Sequence, residues 1–295
     1  MFRAVQRLAR PTALLLVALS LAACVGSVGA ANPTPPPPAS PDPVDPGTPI
    51  FRVRDDGGFV TPGMLLGRLP IVVVYPDGRV ITEGPVPAIY PGPLMPNLRE
   101  RTLSPAALER LIELARDKDL LRTVHYDYPG IADAPDTVLE IHLDGKNYWV
   151  SAYALAEGDR DLPDADLEED AIEGRAALRQ FIEALTRIPE TDFVDREHAY
   201  APTGLRVYAG PAVIVPDSEL PGEQPAIDWP LEDLATAGDE VTGGVTDDRC
   251  QVIEGDDLAR VAPLLQGANS LSTFRSEGEL YSLTVRPLLP GEVGC

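Results

Sequence analysis

The stretch HYDYPGIADAPDT sets His125, Asp127, Asp133 and Asp136 close together, with Tyr126 and Tyr128 between them. Imidazole and carboxylate donors at this density could hold a cation or a polar ligand, and a carboxylate beside an imidazole could do acid–base chemistry. The same stretch carries Pro129, Gly130 and Pro135. Asp among Pro and Gly is also the composition of Asx-type turns, whose carboxylates bind nearby backbone N–H groups. Both readings are open at this level.

A second acidic run, DRDLPDADLEED from Asp159 to Asp170, invites comparison with a calcium loop. Asp159 and Asp161 fit the first two ligand positions, but Pro163 falls where a third side-chain ligand belongs and Asp164 takes the glycine position. The run therefore reads as a solvated lead into a helix, where the N-terminal dipole favours acids. A third run, AIYPGPLMPNL, places Tyr90, Leu94 and Met95 on a proline-stiffened loop. It is either a preorganised contact surface or a crossing that turns its apolar residues inward. His142 is expected on the wet face of a strand and His198 in a connector. The sequence has no Gly-x-Ser-x-Gly, Ser-x-x-Lys, His-Glu-x-x-His, Cys-x-x-Cys, phosphate-loop or dinucleotide-binding pattern. No catalytic residue, cofactor or metal site is assigned.

These residues need a scaffold, and the patterning supplies one. IFRVR, from Ile50, is a short strand. RLPIVVVYPDGRVITEG predicts a hairpin, Ile71 to Tyr75 and Arg79 to Thr82, around the Asp77-Gly78 turn. SPAALERLIELARDKDLL predicts a helix with Ser104 as N-cap, Pro105 at the first position, and Leu108, Leu111, Ile112 and Ala115 on one face. The order then recurs: a hairpin around Asp144-Gly145, and a helix burying Leu178, Phe181, Ile182 and Leu185. Residues 50–190 are expected to form an α+β domain, an antiparallel sheet with both helices on one face. Residues 191–203 read as a connector. Residues 204–295 read as a smaller α+β domain, with strands in LRVYAG and AVIV, a possible short helix in LEDLATAG closed by Gly238, a helix from about Asp256 bent or shortened by Pro263, and a third hairpin turning at Ser276-Glu277-Gly278.

The N-terminus fixes an expected compartment. Arg3, Arg7 and Arg10 precede an apolar run of about a dozen residues, too short to span a bilayer and right for a signal peptide over residues 1–23. Leu21-Ala22-Ala23-Cys24 resembles the bacterial lipoprotein signal. That resemblance implies a lipidated Cys24 as the mature N-terminus, anchored to the outer face of the cytoplasmic membrane. Residues 24–49 follow as a proline-rich tether, extended at about 3.1 Å per residue. With Cys24 given to lipid, Cys250 and Cys295 remain as one pair in an exported chain. A disulfide between them would contribute roughly 4 kcal/mol by loop closure. A two-cysteine metal site lacks a nearby His.

Composition narrows the partners. The net charge of −22 repels phosphate backbones and anionic lipid headgroups, so nucleic acid is not an expected partner. The runs GGFVTPGMLLGRLPIVVVYPDGRVITEG, YPGPLMPNL and SPAALERLIELARDKDLL, with the ending YSLTVRPLLPGEVGC, resemble a set of exported proteins of high-GC Gram-positive bacteria that have no known activity. The resemblance implies the compartment and no site residue. The leading expectation is a non-enzymatic envelope lipoprotein that binds a protein, glycan or peptide. The alternatives are an envelope hydrolase or transferase using His125, Asp127 and Asp133, and a divalent-cation-binding protein.

Overall fold

A computed structural model of the chain describes residues 46–156, 167–212, 224–241 and 248–295. The leader, Cys24, the tether up to residue 45, the AVIV strand beyond Ala212 and the acidic run from Asp159 to Asp166 lie outside the described residues. The protein is α+β, with two sheets and four α-helices among the described residues.

The N-terminal part contains β1 (Phe51–Gly57), α1 (Pro62–Gly67), β2 (Val72–Val74), β3 (Arg79–Glu83), β4 (Leu98–Thr102), α2 (Pro105–Asp117), β5 (Val124–Tyr126), β6 (Pro135–Leu143), β7 (Lys146–Tyr153), α3 (Glu169–Thr186) and β8 (His198–Ala199). Its eight strands run in the order β5-β7-β6-β1-β2-β3-β4-β8. The first strand is therefore central: β1 pairs with β2 on one side and β6 on the other, joining the two hairpins into one sheet. All pairings are antiparallel except β5 with β7. The β2–β3 turn needs glycine at Gly78, whose φ is +88° and whose missing Cβ would press on the Leu103 carbonyl.

Both long helices cover one face, as their periodicity requires. Ser104 caps α2 by accepting from the Ala107 N–H, and Pro105 fills its first position. Leu111, Ile112 and Ala115 of α2 and Leu178, Phe181 and Leu185 of α3 pack on Phe51, Val53, Val72, Leu139, Ile141 and Val150. Phe51 and Phe181 meet edge to face at 5.1 Å. Burying each such side chain contributes about 1.5–3 kcal/mol. One charged residue joins this core: Arg175 of α3 is buried, donates to the Tyr153 and Ala154 carbonyls, and stacks on Tyr128.

The C-terminal part contains β9 (Gly204–Pro211), β10 (Ile227–Asp228), β11 (Asp239–Glu240), β12 (Arg249–Glu254), α4 (Gly255–Gly267), β13 (Thr273–Ser276) and β14 (Glu279–Pro287). Its sheet order is β10-β13-β14-β9-β12-β11, with β10 parallel to β13. Val261 and Leu265 of α4 pack on Leu205, Val207, Ile253, Phe274 and Val285. Pro263 stands inside α4, which runs on past it to Gly267. Cys250 and Cys295 form a disulfide, with Cα atoms 5.9 Å apart.

The structure adds α1 and β4, which the sequence pattern does not predict, and departs from it at three further places. Residues 231–238 form turns and no helix. Asp233 binds the Ala235 N–H with its carboxylate, and Ser276 takes the Leu234 N–H, so side chains satisfy donors that a helix would have used. The stretch 191–203 holds β8, an edge strand on β4. Pro49, expected at the end of the tether, is buried, and its carbonyl accepts from His142 Nδ1 at 2.9 Å.

The sheets meet through the chain's last residues. Leu289 joins Val73, Tyr75, Ile81 and Leu98 in a separate apolar cluster on the sheet face that α2 and α3 leave bare. Tyr75 and Tyr200 donate their hydroxyls to the Pro290 and Leu288 carbonyls. Burial pushes the Tyr200 hydroxyl up to about 12, so it remains a donor at any physiological pH.

Candidate functional site

His125, Asp127, Asp133 and Asp136 do not converge on one centre. His125 lies on β5 and Asp136 on β6, on the same sheet face. His125 Nδ1 lies 2.9 Å from Ser151 Oγ on β7 and 3.5 Å from Asp136 Oδ1. A nucleophile–base–acid relay uses the two ring nitrogens separately, one toward the hydroxyl and one toward the acid. Here both neighbours meet the same nitrogen, so the imidazole does not connect them. Asp127 is exposed, and its carboxylate accepts from the adjacent Tyr128 N–H. Asp133 is exposed with a φ of 61°, and its carbonyl accepts from the Phe59 N–H. Among the described residues no three His, Cys, Asp or Glu side chains are grouped to hold a metal. No helix among them is long and apolar enough to cross a membrane.

A different part of the molecule forms a groove of about 800 Å³. Most of its lining comes from α1 with the segment to Ile71, the proline-rich loop from Glu83 to Asn97, and residues 283–285 of β14, with Asp55 of β1 and Ser270 completing it. The local sequence explains the orientation of α1. Gly63 and Gly67 lie one turn apart and face Thr284 of β14, where a Cβ on Gly67 would come within 2.9 Å of the Thr284 methyl. The two glycines let the helix backbone approach the strand closely. Met64 and Leu65 are then turned outward, and Met64 is 60% exposed.

The opposite wall is held by proline and by anchors to the segment between α4 and β13. Leu94 N–H donates to the Ala268 carbonyl and Ser270 N–H to the Gly92 carbonyl. Leu94 and Met95 pack against the second core and also line the groove, while Tyr90, before the cis Tyr90–Pro91 bond, is 69% exposed. The loop thus turns Leu94 and Met95 inward and leaves Tyr90 exposed. Val86 on the same loop is 57% exposed.

The charged groups in the lining are Asp55, Glu83 and Arg68. Arg68 is engaged: it donates to the Asp55 and Gly57 carbonyls. Asp55 accepts from the Thr137 hydroxyl at 2.9 Å. The chain has three methionines, and both beyond Met1 line this groove. Leu94 and Met95 lie in a run that composition singles out, whereas Met64, Val86 and Asp55 do not. The available signal was the Gly-Met-Leu-Leu-Gly run, a helical turn with small residues on one side and large apolar ones on the other.

No protein-family model matches this chain, and comparison with curated proteins finds no match.

Proposed function

We propose that this chain is a lipid-anchored envelope protein that acts as a non-enzymatic binding module, and that the groove between α1, the proline-rich loop and β14 is its binding site. The supporting observation is the groove itself. Scattered exposed hydrophobic residues are ordinary on a protein surface. Here Met64, Ile71 and Val86 are exposed around one cavity of about 800 Å³, within the range of ligand sites. Methionine suits such a wall because its unbranched, polarizable side chain adapts to different shapes. Proline suits the other wall because a stiff loop loses little entropy on binding.

The anchoring half rests on the resemblance of Leu21-Ala22-Ala23-Cys24 to a lipoprotein signal and on the proline-rich tether. A photo-crosslinking residue at Met64 in intact cells tests the binding half. It should capture a discrete partner, whereas the same residue at Glu277, on the distant β13–β14 turn, should not. Equal labelling from both positions would count against the groove.

A further inference from the structure

We infer that the occupant of the groove is an extended peptide segment carrying large apolar side chains flanked by Lys or Arg. This rests on the reading of the groove as the binding site and names its ligand class. The apolar requirement follows from the walls: Met64, Leu69, Ile71, Val86, Leu94 and Met95 offer contact area and few hydrogen bonds. The basic requirement follows from charge. Asp55 and Glu83 are the acids in the lining, and its cation, Arg68, is held by two backbone carbonyls. The whole chain carries −22, so the surrounding field also attracts cations.

The same charges discriminate against the other apolar ligand class. A fatty acid or phospholipid brings a carboxylate or phosphate to a lining in which two acids outnumber one arginine, whose guanidinium already donates to two carbonyls. That juxtaposition costs affinity, whereas a basic peptide gains from it. An extended chain also suits a trough whose walls come from separated segments, because successive apolar side chains can use both.

The test uses the full-length protein in zwitterionic lipid nanodiscs, with empty nanodiscs as the blank. Three labelled peptides of one length and one Leu/Val core are compared by fluorescence anisotropy: one flanked by Lys, one by Gln and one by Glu. The Lys peptide should bind about three- to tenfold more tightly than the Gln peptide, the size expected of one or two exposed charge pairs, and the Glu peptide most weakly. The preference should shrink with rising salt. Asp55→Asn with Glu83→Gln should abolish the preference for the Lys peptide over the Gln peptide, and Met64→Asp should weaken all three.

Equal binding of Lys and Gln peptides, lost in Met64→Asp, would overturn the inference and leave the groove as a binding site. Displacement of the peptides by a monomeric fatty acid without charge preference would assign the groove to an acyl chain and overturn it too. Absence of Met64-dependent binding by any peptide would overturn both the inference and the groove reading. Unchanged thermal unfolding of each variant guards against misfolding as the cause.

Discussion

Glu292 accepts hydrogen bonds from both terminal nitrogens of Arg286, at 2.7 and 2.8 Å, with both side chains about nine-tenths buried. Glu292 also accepts from the Leu289 N–H and faces Arg52 of β1 at 3.8 Å. Arg286, on β14, donates in addition to the carbonyl of Arg68, just beyond α1. One carboxylate thus ties the C-terminal segment to both sheets and, through Arg286, to Arg68 in the groove lining.

Removing that charge should destabilise the protein. Burial alone would push the Glu292 carboxyl up, but the Arg286 hydrogen bonds and charge, the Leu289 N–H and Arg52 together hold it below the usual carboxylate range. A group with a depressed folded-state pKa contributes stability above its unfolded value and loses it as pH falls through the folded value. Glu292→Gln should therefore cost about 3 kcal/mol at pH 7 in urea unfolding. The gap between variant and wild type should narrow as pH drops below about 4.

The disulfide should act on the same segment. Cys250→Ser with Cys295→Ser is expected to lower stability by up to roughly 4 kcal/mol, read as a shift in the urea midpoint. Reduced wild-type protein should behave alike. Combined with Glu292→Gln, the loss should be less than additive, because a segment already released at one end gains less from its ion pair.

Two glycines mark close approaches. Gly174 of α3 lies against the Tyr126 ring and hydroxyl, with no room for a methyl group. Gly174→Ala should cost about 1–3 kcal/mol despite alanine's better helix propensity. Gly67→Val should likewise push α1 from Thr284, with a similar loss in thermal unfolding and weakened binding in the groove.

Cys24→Ala should move the protein from the membrane fraction to the soluble envelope or medium without altering its unfolding curve. Retention in membranes would remove the anchoring reading.

Much of the fold was legible because its signals are local. Asp-Gly turns mark two hairpins, Ser104-Pro105 starts α2, and the spacing of Leu178, Phe181 and Leu185 gives the buried face of α3. Strand order was not legible: nothing local tells β1 that it must join two hairpins. The turns at 231–238 were missed because Ser276, a distant residue, helps satisfy their backbone. Arg175 carries no local signal of its burial, because its carbonyl partners, Tyr153 and Ala154, come from the end of β7. The site was the least legible part. The acidic stretches drew attention by composition, whereas the groove is made by separated segments meeting through Gly63, Gly67 and Thr284.

The most direct measurement follows from Met64 and Met95, which are the two methionines of the folded part and stand on the two walls of the groove. Protein labelled with ¹³C at the methionine methyl groups, titrated with the Lys-flanked apolar peptide, gives one reporter on each wall. Both methyl resonances should shift together and saturate, while the indole resonance of Trp149, on the open sheet face, should not move. Movement of Trp149 with both methionines still would contradict the groove as the binding site.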